Sequence, residues 1–311
     1  MQWVTTNGII RRREAIAHGF TDEELWRGRR RGELVSIGHG AYAEADTYAP
    51  LDATARHRLA VAAVAARTTN GAAVSHASAA VLHGLDTWNL DFDRVHLTVS
   101  RRSGGKIGAR RTLHAARLRP DEVTDIGALP VTTVTRTVID LACTVGFEEA
   151  VVVGDHAIRS GATTPDDLQR ALEQARGRTG ISGARRVVAF LDGRSESVGE
   201  SRSRVLLHWL QLPKPELQQP VHDIHGNLIG RVDMLWCDQG VVGEFDGMAK
   251  YSMVPGRTEW DVFRAEKARE DALRAVGFVV VRWNWADLSS PERLRVAIER
   301  AFAVARHYPR R

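Results

Sequence analysis

Residues 231 to 250 read RVDMLWCDQGVVGEFDGMAK and place three carboxylates close together. Val232, Met234 and Trp236 alternate with their neighbours, Asp238, Gln239 and Gly240 make a turn, and residues 241 to 245 return, so the stretch predicts a β-hairpin. Asp233 interrupts the first strand, Glu244 the second, and Asp246 follows at its end. A carboxylate on a strand that otherwise wants burial is costly unless something compensates it. Three on one hairpin form a hard oxygen-ligand set suited to Mg²⁺ or Mn²⁺. The structural alternative for Asp233 is an ion pair with Arg231 or Arg282.

The surrounding pattern predicts the elements that would hold this set. Glu200 opens a helix to Leu212, with Val205, Leu206, Trp209 and Leu210 expected in a core. Residues 217 to 221 are extended, 259 to 276 read as a long helix, 278 to 283 as a buried strand, and 291 to 305 as a closing helix. On Glu200, Arg231-Val232-Asp233, Glu244-Phe245-Asp246-Gly247, Lys250-Tyr251, Glu266-Lys267 and Val281-Arg282-Trp283, this third of the chain resembles the PD-(D/E)XK nucleases, in particular those related to very-short-patch repair endonucleases.

The resemblance implies an α/β restriction-endonuclease-like core over residues 196 to 311. Asp233 and Glu244 would be its metal ligands, Asp246 a third and Glu200 an outer carboxylate. The ion would polarise a phosphodiester and activate water. The family pattern has lysine two residues after the glutamate, where this chain has Asp246. The lysine's role, orienting water or stabilising the charged transition state, then falls to Lys250 or Lys267, and Arg282 would touch phosphate or pair with a carboxylate. A degenerate core that binds without cleaving is the other reading.

Charge points to the opposite end of the chain. Residues 1 to 111 hold 16 basic and 11 acidic residues, a surplus of +5, and residues 112 to 311 hold 27 of each. That asymmetry predicts a polyanion partner at the N-terminal end. Residues 6 to 19 read as a helix with Ile9, Ile10, Ile16 and Ala17 as its apolar stripe. Thr21 to Glu24 is a capping box that starts a second helix, anchored by Leu25 and Trp26 and carrying Arg27, Arg29, Arg30 and Arg31. Two short strands follow between residues 34 and 42. Helix, helix, hairpin is the outline of a winged helix-turn-helix over residues 1 to 50, whose second helix would enter the major groove. A solvated basic face is the plainer alternative.

Downstream, Arg101, Arg102 and Lys106 lie in a Gly-rich basic loop suited to phosphate contact, without the Gly-Lys-Ser/Thr order of a nucleotide P-loop. Residues 9–42, 73–85 and 131–142 together resemble the AbiEi-type antitoxins of type IV toxin–antitoxin systems. The resemblance implies a double-stranded-DNA-binding repressor of its own promoter and admits a cognate toxin as partner; winged helices often bind as homodimers. It also implies an antitoxin-like middle domain, with a helical linker, over residues 51 to 195.

Other features restrict the class. His57, His76 and His83 have no carboxylate or cysteine at ligand spacing, so capping and packing are their expected roles. Ser75 is the expected cap of the helix over 75 to 85. Cys143 and Cys237 are expected to be buried free thiols in a reducing cytoplasm. No apolar run reaches membrane-spanning length, so a membrane is not an expected partner. The expectation is therefore a multidomain α+β protein that binds DNA, either with a metal-dependent endonuclease domain or as a non-catalytic repressor.

Overall fold

The computed structural model describes residues 3, 5–65, 71–101, 103–247 and 259–307, without the side chains of residues 259, 262 and 263. Arg102 and Lys250 lie outside the described residues. The fold is mixed α/β and divides into two compact units, residues 1–153 with 161–189 and residues 154–160 with 190–311.

The first unit opens with β1 (Ile10–Arg11), α1 (Arg12–Ala17), α2 (Asp22–Arg30), β2 (Leu34–Gly38), β3 (Ala41–Glu44) and α3 (Ala45–Tyr48). Its first sheet has the order β1-β3-β2, antiparallel throughout. Then come α4 (Ala53–Ala65), β4 (Ala72–Val74), α5 (His76–Leu82), β5 (Val95–Ser100), β6 (Lys106–Ile107), β7 (Arg111–Ala116), β8 (Val123–Ile126) and β9 (Leu129–Thr132). These strands form a mixed sheet of order β6-β7-β5-β4-β9-β8. The helices α6 (Val134–Thr144), α7 (Phe147–Arg159), α8 (Pro165–Gln174) and α9 (Ile181–Phe190) follow, with the last part of α7 counted in the second unit.

The capping box on α2 forms as the sequence requires: Glu24 N–H donates to Thr21 Oγ1 at 3.2 Å, and Thr21 N–H donates to Glu24 Oε2 at 2.7 Å. The preceding segment departs from expectation. Ile10 is not on a helix but pairs with Tyr42 across the first sheet, and Ile9 and Ile10 are both buried. Ala15 is the buried residue of the short α1, while Ile16 and Ala17 are exposed. Strand pairing consumed the apolar residues that helical periodicity had claimed. Leu25 anchors α2, but Trp26 is 53% exposed and lies under the Arg30 guanidinium.

The second unit contains α10 (Val198–Trp209), β10 (Glu216–His222), β11 (Leu228–Trp236), β12 (Val241–Phe245), α11 (Glu259–Ala275), β13 (Val279–Trp283), α12 (Trp285–Leu288) and α13 (Pro291–Ala305). Its sheet runs β10-β11-β12-β13. The first three strands are antiparallel neighbours, and β13 joins β12 in parallel, which requires a crossover; α11 lies within it. One core holds Leu206 and Leu207 of α10, Ile298 and Phe302 of α13, and Met234, Trp236, Phe245 and Trp283 of the strands. A second core sets Leu273 of α11 against Val221, Val232, Leu235 and Val242.

Simple alternation along β11 therefore fails: Val232 and Met234 are two apart yet belong to different cores. Leu217 and Val221 on the partner strand likewise belong to different cores. Between them Gln218 adopts φ +53°, outside strand geometry. In the register of β10 and β11 Leu217 faces Met234 and Gln219 faces Val232, so Gln218 and Asp233 sit together at this irregularity. Trp209, expected in a core, is 55% exposed, and Leu207 occupies the core instead. Cys143 is half-buried, and Cys237 is exposed in the turn after β11.

Gly199 fixes how closely α10 approaches β12. A Cβ at this position would lie 1.9 Å from the Phe245 ring. Gly199→Ala is expected to cost about 1–3 kcal/mol through overpacking, read as a lower urea midpoint with an unchanged m-value. An unaltered midpoint would show that the ring moves aside freely.

Candidate functional site

The residues singled out by the sequence fall into two regions, one in each unit. In the second unit, Ser197 caps α10 and its hydroxyl donates to Glu200 Oε1 at 2.8 Å. Glu196 N–H donates to Glu200 Oε2 at 2.8 Å. Gln218 Nε2 donates to the same oxygen at 2.9 Å and reaches Asp233 Oδ1 at 3.5 Å. The other Asp233 oxygen accepts Phe245 N–H at 2.9 Å, just beyond the last paired residues of β11 and β12. Burial raises the Glu200 pKa, and the nearby Asp233 charge adds to the effect, opposed by the hydrogen bonds it accepts.

Glu244 is held differently. It is buried and ion-paired to Arg269 of α11 and, at 3.0 Å, to Arg282 of β13. Both arginines also pair with Glu266, and Arg282 reaches Glu270 at 3.4 Å. Burial works against a charged Arg269, yet Glu266 and Glu244 hold its pKa above the ordinary value. Arg282 thus takes the pairing role that was one of its two expectations. Lys267 is exposed on α11, and Asp246 is half-buried beyond β12, its N–H donating to Trp283 O at 2.8 Å.

A hard divalent cation does not fit this arrangement. Two guanidinium groups already neutralise Glu244, and one Asp233 oxygen is spent on the backbone. Among the described residues, Asp233, Glu244 and Asp246 do not form a group with ligand atoms within 4.8 Å of one another; His76, His96 and His114 do.

In the first unit, an open cleft of about 1030 Å³ is lined by Arg12, Arg29, His39, Lys106, Arg110 and Arg111 together with residues of β2, β3 and α4. Arg110 donates to Ser36 O at 3.1 Å, tying the turn before β7 to β2. Arg12 pairs with Asp22, and Arg29 lies 5.9 Å from the Tyr42 ring centroid. Of the four α2 arginines expected to contact DNA, only Arg29 lines the cleft. Arg27 pairs with Glu23 at 2.8 Å, Arg30 covers Trp26, and Arg31 pairs with Glu33 at 3.8 Å. Basic residues in the last turn of α2 and acidic ones in the first also complement its dipole. Arg101 turns back onto the Gly104 carbonyl.

The sequence reading missed Arg12 and His39, which are far from Lys106 and Arg111 in the chain and join them only through packing. It also missed His96 and His114. His57 and His83 have the structural roles expected: His57 is within hydrogen-bond distance of Phe92 O and Ser78 Oγ, and His83 of Thr132 O. Ser75 occupies the cap position of α5, but its hydroxyl engages His76 and Thr98 instead of capping the helix.

No family model matches the chain. It is 30% identical over 287 residues to the uncharacterized protein Rv2248 of Mycobacterium tuberculosis, covering 88% of this chain and 94% of that one. The same figures hold for the uncharacterized protein MT2308 from another strain of that species. Among solved structures, the RV2827C protein of M. tuberculosis aligns with 69% of this chain and 83% of its own, at 14% identity and a TM-score of 0.38. No helix among the described residues is long and apolar enough to cross a membrane.

Proposed function

The chain belongs to the family of the M. tuberculosis proteins Rv2248 and MT2308, and we propose that it is a DNA-binding regulator that grips duplex phosphates through the basic cleft of its first unit. The observation that carries this reading is the cleft itself, where Arg29, Lys106, Arg110 and Arg111 converge from three segments of the chain. Phosphate contacts from such side chains supply sequence-independent affinity and position a protein on the duplex. The α1–α2 pair and the β1-β3-β2 sheet are consistent with a winged helix-turn-helix, and the antitoxin resemblance assigns it repression of a promoter.

The second unit is, in this reading, a nuclease-like core that no longer cleaves. The reading is supported by the element order of a helix, three strands, a helix, a strand and two helices. Support for lost catalysis comes from the double arginine clamp on Glu244 and from Asp246 at the position of the missing lysine.

The test is incubation of the full chain with supercoiled plasmid and short duplexes in Mg²⁺ or Mn²⁺, beside a gel-shift assay. Binding without nicking is the expected result. Metal-dependent nicking abolished by both Asp233→Ala and Glu244→Ala would instead establish an endonuclease.

A further inference from the structure

Three imidazoles converge in the first unit from separate elements. His96 on β5 and His114 on β7 share one face of the mixed sheet, since Thr98 pairs with His114 and His96 with Thr112. His76 follows β4, and its neighbour Ser75 donates its N–H to His96 O at 3.0 Å. The His76 ring stacks on His114 with centroids 3.8 Å apart, and His96 Nδ1 lies 3.0 Å from His114 Nε2. One ring nitrogen from each histidine lies within 4.8 Å of the other two. Nitrogens bound to one tetrahedral ion at about 2.0–2.1 Å are themselves about 3.3 Å apart, so the separations suit one ion once the His76 ring turns out of its stack on His114.

The cluster is prepared for a cation in four ways. The rings are shielded from solvent, His76 buried and His96 and His114 half-buried. His76 Nδ1 is within 2.9 Å of Ser75 Oγ, an outer contact of the kind that orients a ligating ring. His76 also holds φ +52°, an unfavourable backbone for a side chain of this kind, which concentrates at functional sites. Finally, Asp140 is fully buried: Arg136 and Arg178 hold Oδ1, Oδ2 has no hydrogen-bond partner, and its charge is felt at both His76 and His114.

A cleft of about 660 Å³ opens beside His76 and His114, lined also by Cys143, Arg119, Arg136 and Arg178. We propose that His76, His96 and His114 bind one divalent transition-metal ion of the zinc class, leaving a coordination position open to this arginine-lined cleft. Imidazole donors select zinc, cobalt or nickel over magnesium.

The experiment uses the full chain, stripped with chelator and titrated with Co²⁺. The expected result is one equivalent giving the intense visible absorption of a four- or five-coordinate site, displaced by Zn²⁺. His96→Gln and His114→Gln should each lose the band, while the exposed His225→Gln and the carboxylate variant Asp233→Asn keep it. The two cluster variants avoid the strained turn at His76, and their apo melting curves report whether they fold. If either unfolds, zinc-induced protection of the wild-type chain against melting, with one zinc retained per chain after dialysis, is the second reading. No absorption and no protection in the wild type would overturn the site, as would a full equivalent retained by folded His96→Gln and His114→Gln.

Discussion

Replacing Arg29, Lys106 and Arg111 together with alanine is expected to weaken duplex binding on the order of 10²-fold near 0.1 M salt. All three side chains are exposed and line the same cleft. Arg110 is left in place because its bonds to Ser36 support the turn. Losing three phosphate contacts should also make the slope of log affinity against log salt shallower by about 2 to 3. The weakening should be similar for unrelated duplexes, since phosphates carry no sequence information. Triple replacement of Arg27, Arg30 and Arg31, whose guanidinium groups are occupied by partners on α2 or just after it, should have a smaller effect. The opposite ranking would move the interface from the cleft to the helix.

The second large effect concerns the helix that carries Glu200. Asp155, from the last turn of α7, is fully buried and accepts from Arg204 Nη1 at 2.6 Å, Ser201 Oγ at 2.8 Å and Asp192 N–H at 2.7 Å. Arg204 in turn donates to Phe190 O at 2.7 Å and stacks over its ring. Removing one member of such a buried pair strands the other, so Asp155→Ala is expected to cost about 3–5 kcal/mol at neutral pH.

Burial lifts the Asp155 carboxyl to about 6 despite these partners, against an ordinary 3.8. The folded chain therefore holds this proton more tightly than the unfolded chain. The proton-linked part of its contribution to stability is fully present below the ordinary value, declines as pH rises between the two, and is lost above the folded value, where the contacts with Arg204, Ser201 and Asp192 remain. The cost of Asp155→Asn should accordingly grow as the pH falls from 7 towards 4. Urea denaturation across that range checks both the size and the slope; a cost that shrinks on acidification would contradict the assignment.

Local signals were legible in the sequence where local physics decides the outcome. The Thr21–Glu24 capping box, the Asp238–Gly240 turn and the α13 helix from Pro291 to Ala305 all follow from side chains that act within one turn. Ile10 pairs with the Tyr42 strand and Ile9 bridges back to Thr6, and these pairings outweigh their helical spacing. Trp26 and Trp209 are large and apolar, yet neighbouring Leu25 and Leu207 took the buried positions. The change of face at Gln218 and Asp233 depends on two strands distorting together, which neither strand reveals alone.

The functional residues show the same division. The carboxylates of the hairpin are conspicuous in sequence, but the arginines that occupy Glu244 come from 25 and 38 residues further on, Arg269 and Arg282. His76 stood out beside His57 and His83, whereas its spatial partners are His96 and His114, joined by strand register. The basic cleft combines Arg12 with Arg111 across almost a hundred positions of chain. Sequence spacing finds helix faces and turns; it does not find sites assembled by a sheet.

The measurement that tests the central claim most directly is fluorescence anisotropy of the wild-type chain with a labelled duplex, titrated from about 50 to 200 mM salt. The account predicts saturable binding whose log affinity falls linearly and steeply with log salt. No binding at the lowest salt, or an affinity unchanged across the range, would contradict it.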